Sequence, residues 1–152
     1  MGHFVTGLIA RPVVLEAFSR AHSLHWSVAL AAGLAILPLR KIDLESFQVT
    51  PSDDETAGLQ NLSKQLLDEL RRSSQQGPLI YFETEYFGGE GGQGAAVFQD
   101  GELLFGPHWA KIGPINHALK LLGISIEPPA YDEFETVGLH LHRHTEEWVR
   151  RP

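Results

Sequence analysis

The most constraining feature of the chain is a run of strand-forming residues interrupted by glycine, residues 79–107, LIYFETEYFGGEGGQGAAVFQDGELLFGP. Four aromatic residues and the β-branched Thr84 fall in its first nine positions, which favours a pleated strand over a helix. Further on, Asp100 and Gly101 supply the positive φ angles that a type I′ hairpin turn needs. The run therefore predicts three strands, with a glycine-rich loop after the first and a tight turn after the second.

The first of these strands is predicted to be central and to have one acidic face. Glu83 and Glu85 lie two positions apart and therefore share a face, whereas Phe82, Thr84 and Tyr86 point to the other. We expect the acidic face to be solvated. Two carboxylates at this spacing also suit glycoside hydrolysis, although a solvated strand face is the simpler interpretation.

Charge and composition exclude several functional classes. The 152 residues suffice for one domain with a core, and the absence of cysteine excludes disulfides and thiol chemistry. The formal net charge is −7, and residues 73–110 contain no Lys or Arg. Such a surface repels phosphate backbones, so we expect no nucleic-acid partner, but it attracts a basic protein.

The remaining segments alternate between strand and helix signals. A helix is predicted from Pro12 to about His22 and another between Pro114 and Gly123. Residues 27–39 are ambiguous: Gly33 argues against one continuous helix, and residues 34–39 are compatible with a buried strand. A capping box beginning at Ser52 precedes leucines at helical spacing, which predicts a long helix over residues 53–72. We therefore predict a single α+β domain over residues 1–152, with a mixed or antiparallel sheet of about five strands and helices packed on it. The helical leucines are Leu59, Leu62, Leu66, Leu67 and Leu70.

No membrane segment is expected. The apolar run over residues 27–39 is shorter than the roughly 20 residues that a membrane span requires, and Gly33 and Pro38 interrupt it. The N-terminus has no cationic start followed by an apolar signal segment. The sequence therefore predicts a soluble, cytoplasmic protein.

The glycine-rich segment 88–94, GGEGGQG, has five glycines in seven residues. It is not a phosphate-binding loop, because no Gly-Lys-Ser or Gly-Lys-Thr follows and the next element is predicted to be a strand. Two interpretations stay open. The segment is either a flexible or bulged connection, or a contact for a partner through Tyr86, Glu90 and Gln93.

Three histidines near the C-terminus occupy alternate positions, His140, His142 and His144. In an extended segment their rings share one side, where with Glu146 they would suit Zn²⁺ or another transition metal. The alternative is that they are surface or packing histidines. No other cofactor is predicted, and no serine or threonine lies in a nucleophile elbow.

Three segments together resemble an uncharacterised family of small bacterial proteins over nearly the whole chain. They are YFETEYFGGEGGQGAAVF, GPINHALKLLGI and DEFETVGLHLHRHTEEW. That family in turn resembles the immunity proteins that neutralise antibacterial toxins. The resemblance implies a small cytosolic inhibitor whose acidic strand face and glycine loop lie near its partner.

Three functional hypotheses follow from the sequence. The first is an immunity-type protein that binds and neutralises a toxin with a basic surface, and the second is a metal-dependent hydrolase that uses the three histidines. The third is an oligomeric scaffold in which the sheet edge at residues 103–105 pairs with a second copy. For the first hypothesis, the predicted partner-binding residues are Glu83, Glu85, Tyr86, Gly88, Gly89, Glu90, Gln93 and Asp100.

Overall fold

The computed structural model describes residues 2–47 and 59–149, which form one antiparallel sheet of seven strands. The strands are β1 (Gly2–His3), β2 (Thr6–Ala10), β3 (Val28–Ala29), β4 (Ala35–Pro38), β5 (Leu79–Phe87), β6 (Glu90–Gln99) and β7 (Glu102–Ala110). Their order in the sheet is β3-β4-β2-β5-β6-β7, and β1 pairs with β5 beyond the end of β2. Strand β5 is therefore central, as its sequence predicts.

Helices cover both faces of this sheet. They are α1 (Pro12–His22), α2 (Lys41–Glu45), α3 (Lys64–Ser73), α4 (Pro114–Leu121), α5 (Glu133–Val137) and α6 (Thr145–Trp148). The inward side chains of α1 and α3 form one buried cluster with β5, and those of α4, α5 and α6 form a second cluster on the opposite face. The predicted α+β class is confirmed. The sheet exceeds the predicted strand number because β1 and β3 are two-residue strands without a clear sequence signal.

No helix in the part of the chain that the structure describes is long and apolar enough to cross a membrane.

Helix α3 begins later than its leucine pattern predicts. Ser63 is its N-cap and accepts a hydrogen bond from the Leu66 amide at 3.0 Å, so the helix begins at Lys64. Leu59 and Leu62 are buried but lie in the irregular segment before it. The predicted capping box at residues 52–55 lies outside the described residues.

The two hairpins of the β5–β7 meander both have two-residue turns. Asp100 and Gly101 have φ angles of 54° and 82°, which confirms the predicted type I′ turn. Gly88 and Gly89 have φ angles of 59° and 83°, so they form a second turn of the same kind. The expected loop over residues 88–94 is therefore wrong, because β6 already begins at Glu90.

The other glycines of that segment are explained by packing. A Cβ atom on Gly91 would lie 1.8 Å from the carbonyl oxygen of Glu85. A Cβ atom on Gly94 would lie 1.8 Å from Cδ2 of Leu59 and 3.0 Å from the Trp109 ring. These strand positions exclude side chains because backbone and core atoms occupy the space, so the glycine content does not indicate a flexible connection.

Strand β7 lies at the edge of the sheet but is irregular. Its register with β6 shifts twice, between Phe98 and Val97 and again between Val97 and Ala95. It also contains Pro107, which has no N–H to donate. Bulges and proline are common ways of blocking an open edge, so the strand disfavours pairing with a second copy.

Candidate functional site

The predicted partner-binding residues fall at two distant places on the meander. Seven of them lie at the hairpin end, defined as residues 83–94, where β5 and β6 extend past β2 to their turn. Asp100 lies at the other end of β6, in the turn to β7. Asp100 lies ten positions after Glu90 along β6, which corresponds to about 30 Å. A single contact centred on the hairpin end would not include Asp100.

Glu83 does not lie on a solvated face, as the sequence predicts, but is only 3% exposed. Its carboxylate accepts hydrogen bonds from the backbone amides of Gln60 at 3.0 Å and Asn61 at 2.8 Å, and from the Tyr81 hydroxyl. Glu83 and Glu85 do share a face, but the segment before α3 covers only the first of them. The buried carboxylate therefore anchors that segment to β5.

Burial raises the pKa of the Glu83 carboxyl above its ordinary value. The three hydrogen-bond donors act in the opposite direction, since they stabilise the charged form, and the nearby charge of Glu85 adds to the increase. Because the donors already engage both oxygens, Glu83 is placed as a structural acceptor. This arrangement disfavours the paired-carboxylate chemistry that its spacing from Glu85 allows.

Glu83 and Glu85 also line a cleft of about 660 Å³ at this end of the sheet. The cleft lies where the segment beside β2 changes from the end of β4 to the C-terminal segment. The Leu39 amide donates to the Thr6 carbonyl on β2, whereas the Thr6 amide donates to the Thr145 hydroxyl of the C-terminal segment at 3.0 Å. Arg40 at the cleft wall is paired with Asp43 at 3.0 Å, so its charge is locally compensated.

A group of three exposed side chains lies at the extreme end of the hairpin, and we call Glu85, Phe87 and Glu90 the tip triad. Phe87 is 73% exposed and lies directly opposite Glu90 in the β5–β6 register. Glu85 precedes Phe87 by two positions, so all three side chains share one face. Neither glutamate forms an ion pair with any residue in 2–47 or 59–149. The triad thus combines an exposed aromatic ring with two uncompensated charges.

The sequence-based prediction did not include Phe87. Two features of the sequence indicate that Phe87 is exposed. It lies two positions after Glu85 and so shares its face, and it directly precedes a turn, where few helices or loops cover a sheet. Because β1 and β6 pair with the last residues of β5 on both sides, Phe87 is exposed on its face of the sheet and not at an open strand edge.

Tyr86 and Gln93, on the opposite face, brace the hairpin internally. The buried Gln93 donates from Nε2 to the Tyr86 hydroxyl at 3.0 Å and accepts from the Ile115 amide at 2.8 Å. The Tyr86 hydroxyl in turn donates to the Lys111 carbonyl, and partial burial raises the pKa of this tyrosine. These bonds join the hairpin, just before the tip triad, to the beginning of α4.

The three C-terminal histidines do not share one extended segment. His140 lies in a 3₁₀ turn, Leu139–Leu141. The His142 ring contacts Trp148 edge-on with centroids 4.6 Å apart, and His144 stacks on Phe4 at 5.9 Å. Among the described residues, no group of three or more His, Cys, Asp or Glu side chains is arranged to hold a metal ion. The geometry gives the zinc hypothesis no support.

Comparison with models of protein families, with curated proteins and with solved structures gives no match.

Proposed function

We propose that this chain is an immunity-type protein, which binds a partner antibacterial toxin through the hairpin end and neutralises it. The resemblance of its sequence to an uncharacterised family of small bacterial proteins, which in turn resembles immunity proteins, supports the class. The exposed side chains of the tip triad support the hairpin end as the contact surface. No observation favours the metal-dependent hydrolase in the same way.

The tip triad is the observation that carries this proposal. An exposed phenylalanine beside a tight turn is a suitable interface anchor, because burying it against a partner removes a large apolar surface from water. Glu85 and Glu90 flank the ring and are free of ion pairs within the described ranges. A partner arginine can therefore stack on Phe87 while its guanidinium donates to either carboxylate.

Long-range electrostatics supports the same type of partner. The formal net charge of −7 and the absence of Lys and Arg over residues 73–110 give the meander a negative potential. Such a potential accelerates association with a basic surface. The partner that fits best is a toxin domain whose substrate is anionic, since such a domain has a cationic cleft to be blocked.

A survival assay with a matched pair of charge reversals tests the proposal. The toxin domain encoded next to this gene is co-expressed with the chain in bacteria, and growth is measured. Glu90 and Glu102 are both exposed, and each is the first strand residue after a type I′ turn. The two turns lie at opposite ends of β6. We expect Glu90→Lys to abolish protection and Glu102→Lys to preserve it. Absence of protection by the wild type, or equal effects of the two variants, would contradict the proposal.

A further inference from the structure

A separate depression of about 360 Å³ lies on the opposite face of the hairpin end from the tip triad. It is bounded by the β5–β6 hairpin, by the chain between β7 and α4, and by the start of α5. Its volume falls within the range of small-ligand sites. Tyr86 and Gln93 of the hairpin end line the depression, whereas the tip triad, which carries the proposed toxin contact, does not. The inference drawn from the depression does not depend on that function.

The walls of the depression are fixed by internal hydrogen bonds. His3 is hydrogen-bonded through both ring nitrogens, to the Thr84 hydroxyl at 2.6 Å and the Leu139 carbonyl at 3.3 Å. The Tyr86 hydroxyl is engaged by the Lys111 carbonyl and by Gln93. A site whose neutral polar wall groups are already paired is largely pre-formed, so a ligand would meet little reorganisation cost.

The surface that remains for a ligand is mainly apolar. Phe134 packs against the His3 ring with centroids 5.4 Å apart, and Ile112 at the rim is 68% exposed. Burial lowers the pKa of His3, so its ring is neutral near pH 7 and adds no charge. An apolar group of moderate size would therefore gain by entering.

Two opposite charges line the same depression without pairing with each other. Lys111 is exposed and forms no ion pair with any residue that the structure describes. The oxygens of Asp132 each accept one hydrogen bond, from the Glu135 amide at 2.9 Å and from the Asn116 side chain at 3.2 Å. Each oxygen therefore retains a lone pair for a further donor.

We propose that this depression binds a free apolar α-amino acid. Its side chain would pack against Ile112 and Phe134, its carboxylate would meet Lys111, and its ammonium group would meet Asp132. A zwitterion with an apolar side chain is the compact ligand class that complements two opposite charges lining one depression beside an apolar wall. An apolar carboxylate or an apolar amine would satisfy only one of the two charges.

Calorimetric titration with L-leucine and L-phenylalanine provides the test. For ligands of this size we expect a dissociation constant on the order of 1 mM or tighter. Amide chemical-shift changes at Tyr86 and Ile112 should locate the binding. Two analogues of L-phenylalanine test its charged groups. 3-Phenylpropionate lacks the ammonium group, and N-acetyl-L-phenylalanine amide lacks both charges. We expect both to bind at least about tenfold more weakly than L-phenylalanine.

Paired variants assign the charges to residues. Lys111→Met should weaken L-phenylalanine and 3-phenylpropionate alike, whereas Asp132→Asn should weaken only L-phenylalanine. Asparagine is a good N-cap, so the second variant preserves the start of α5. Lys41→Met, at an exposed lysine elsewhere, is the control and should change nothing. Three results would overturn the proposal. They are no amino-acid binding at about 10 mM, which is 10-fold above the expected range, equal binding of N-acetyl-L-phenylalanine amide, and an L-phenylalanine affinity that neither variant changes.

Discussion

The Tyr81 hydroxyl donates a hydrogen bond to the carboxylate of Glu83, two residues further along the same strand and on the same face of the sheet. Burial raises the pKa of the tyrosine well above its ordinary value, and the adjacent carboxylate adds to this increase. Together with the amides of Gln60 and Asn61, the hydroxyl supplies three donors to one buried acid. This acid therefore joins the central strand to the segment that enters α3.

Replacement of Glu83 should destabilise the fold. Glu83→Ala would leave two amides and one hydroxyl without an acceptor in a buried site, so we expect a loss of about 2–4 kcal/mol in the free energy of unfolding. Glu85→Ala, on the same face but exposed, should change it by less than about 0.5 kcal/mol. Urea unfolding measures both values, and similar losses for the two variants would contradict the structural role of Glu83.

Glu83 should also impose a characteristic pH dependence on stability. Because its pKa is raised in the folded state, the folded chain retains the proton over a range in which the unfolded chain has lost it. The free energy of unfolding contributed by Glu83 should therefore decrease as the pH rises from the unfolded pKa of about 4.3 through the raised folded value.

The Glu83→Gln variant lacks this titration and isolates the effect. The stability of the wild type relative to the variant, measured by urea unfolding between pH 3.5 and 7.5 (roughly one unit below to three above the unfolded pKa), should fall with increasing pH. A relative stability that rises with pH would show that hydrogen bonding outweighs burial at this site.

Two glycines of the first hairpin should differ in their tolerance of alanine. Both have positive φ angles, but a Cβ on Gly88 would have no atom of the described residues within 4 Å, whereas a Cβ on Gly91 would meet the Glu85 carbonyl oxygen at 1.8 Å. We expect Gly88→Ala to cost about 1–2 kcal/mol from backbone strain alone. Gly91→Ala should cost more than about 3 kcal/mol, since backbone atoms must move. Equal thermal-unfolding shifts for the two variants would contradict this account.

Local features of the fold could be predicted from the sequence. The Asp100-Gly101 turn depends on two residues and their φ angles, and α1 begins at Pro12 because proline suits a first helical turn. The alternation that places Glu83 and Glu85 on one face also follows from strand geometry.

Features that depend on distant contacts could not be predicted. Glu83 is buried because residues 60 and 61 fold over it, and no local pattern encodes that contact. Gly94 is required because Leu59 and Trp109 pack against it. Such close packing gives β6 a glycine content that is otherwise typical of a loop. The alternation of the three histidines could not be relied on either, because His140 lies in a 3₁₀ turn that interrupts the extended segment.

Binding to the partner toxin should depend on salt through the tip triad. We expect the affinity of the wild type to fall as ionic strength rises, because exposed charges are screened over about 10 Å at 0.1 M salt. The double variant Glu85→Gln, Glu90→Gln should bind more weakly and lose most of this salt dependence. Surface plasmon resonance at several salt concentrations measures both, and an unchanged slope in the double variant would remove these carboxylates from the contact.

The most direct test of the central claim is the affinity of Phe87→Ala for the toxin domain encoded beside the gene, measured by calorimetry. Leu104→Ala is the matched control, since Leu104 is 53% exposed on β7, away from the hairpin end. We predict that Phe87→Ala binds at least about tenfold more weakly than the wild type while Leu104→Ala binds equally well. Wild-type affinity for Phe87→Ala would contradict the assignment of the hairpin end as the binding surface.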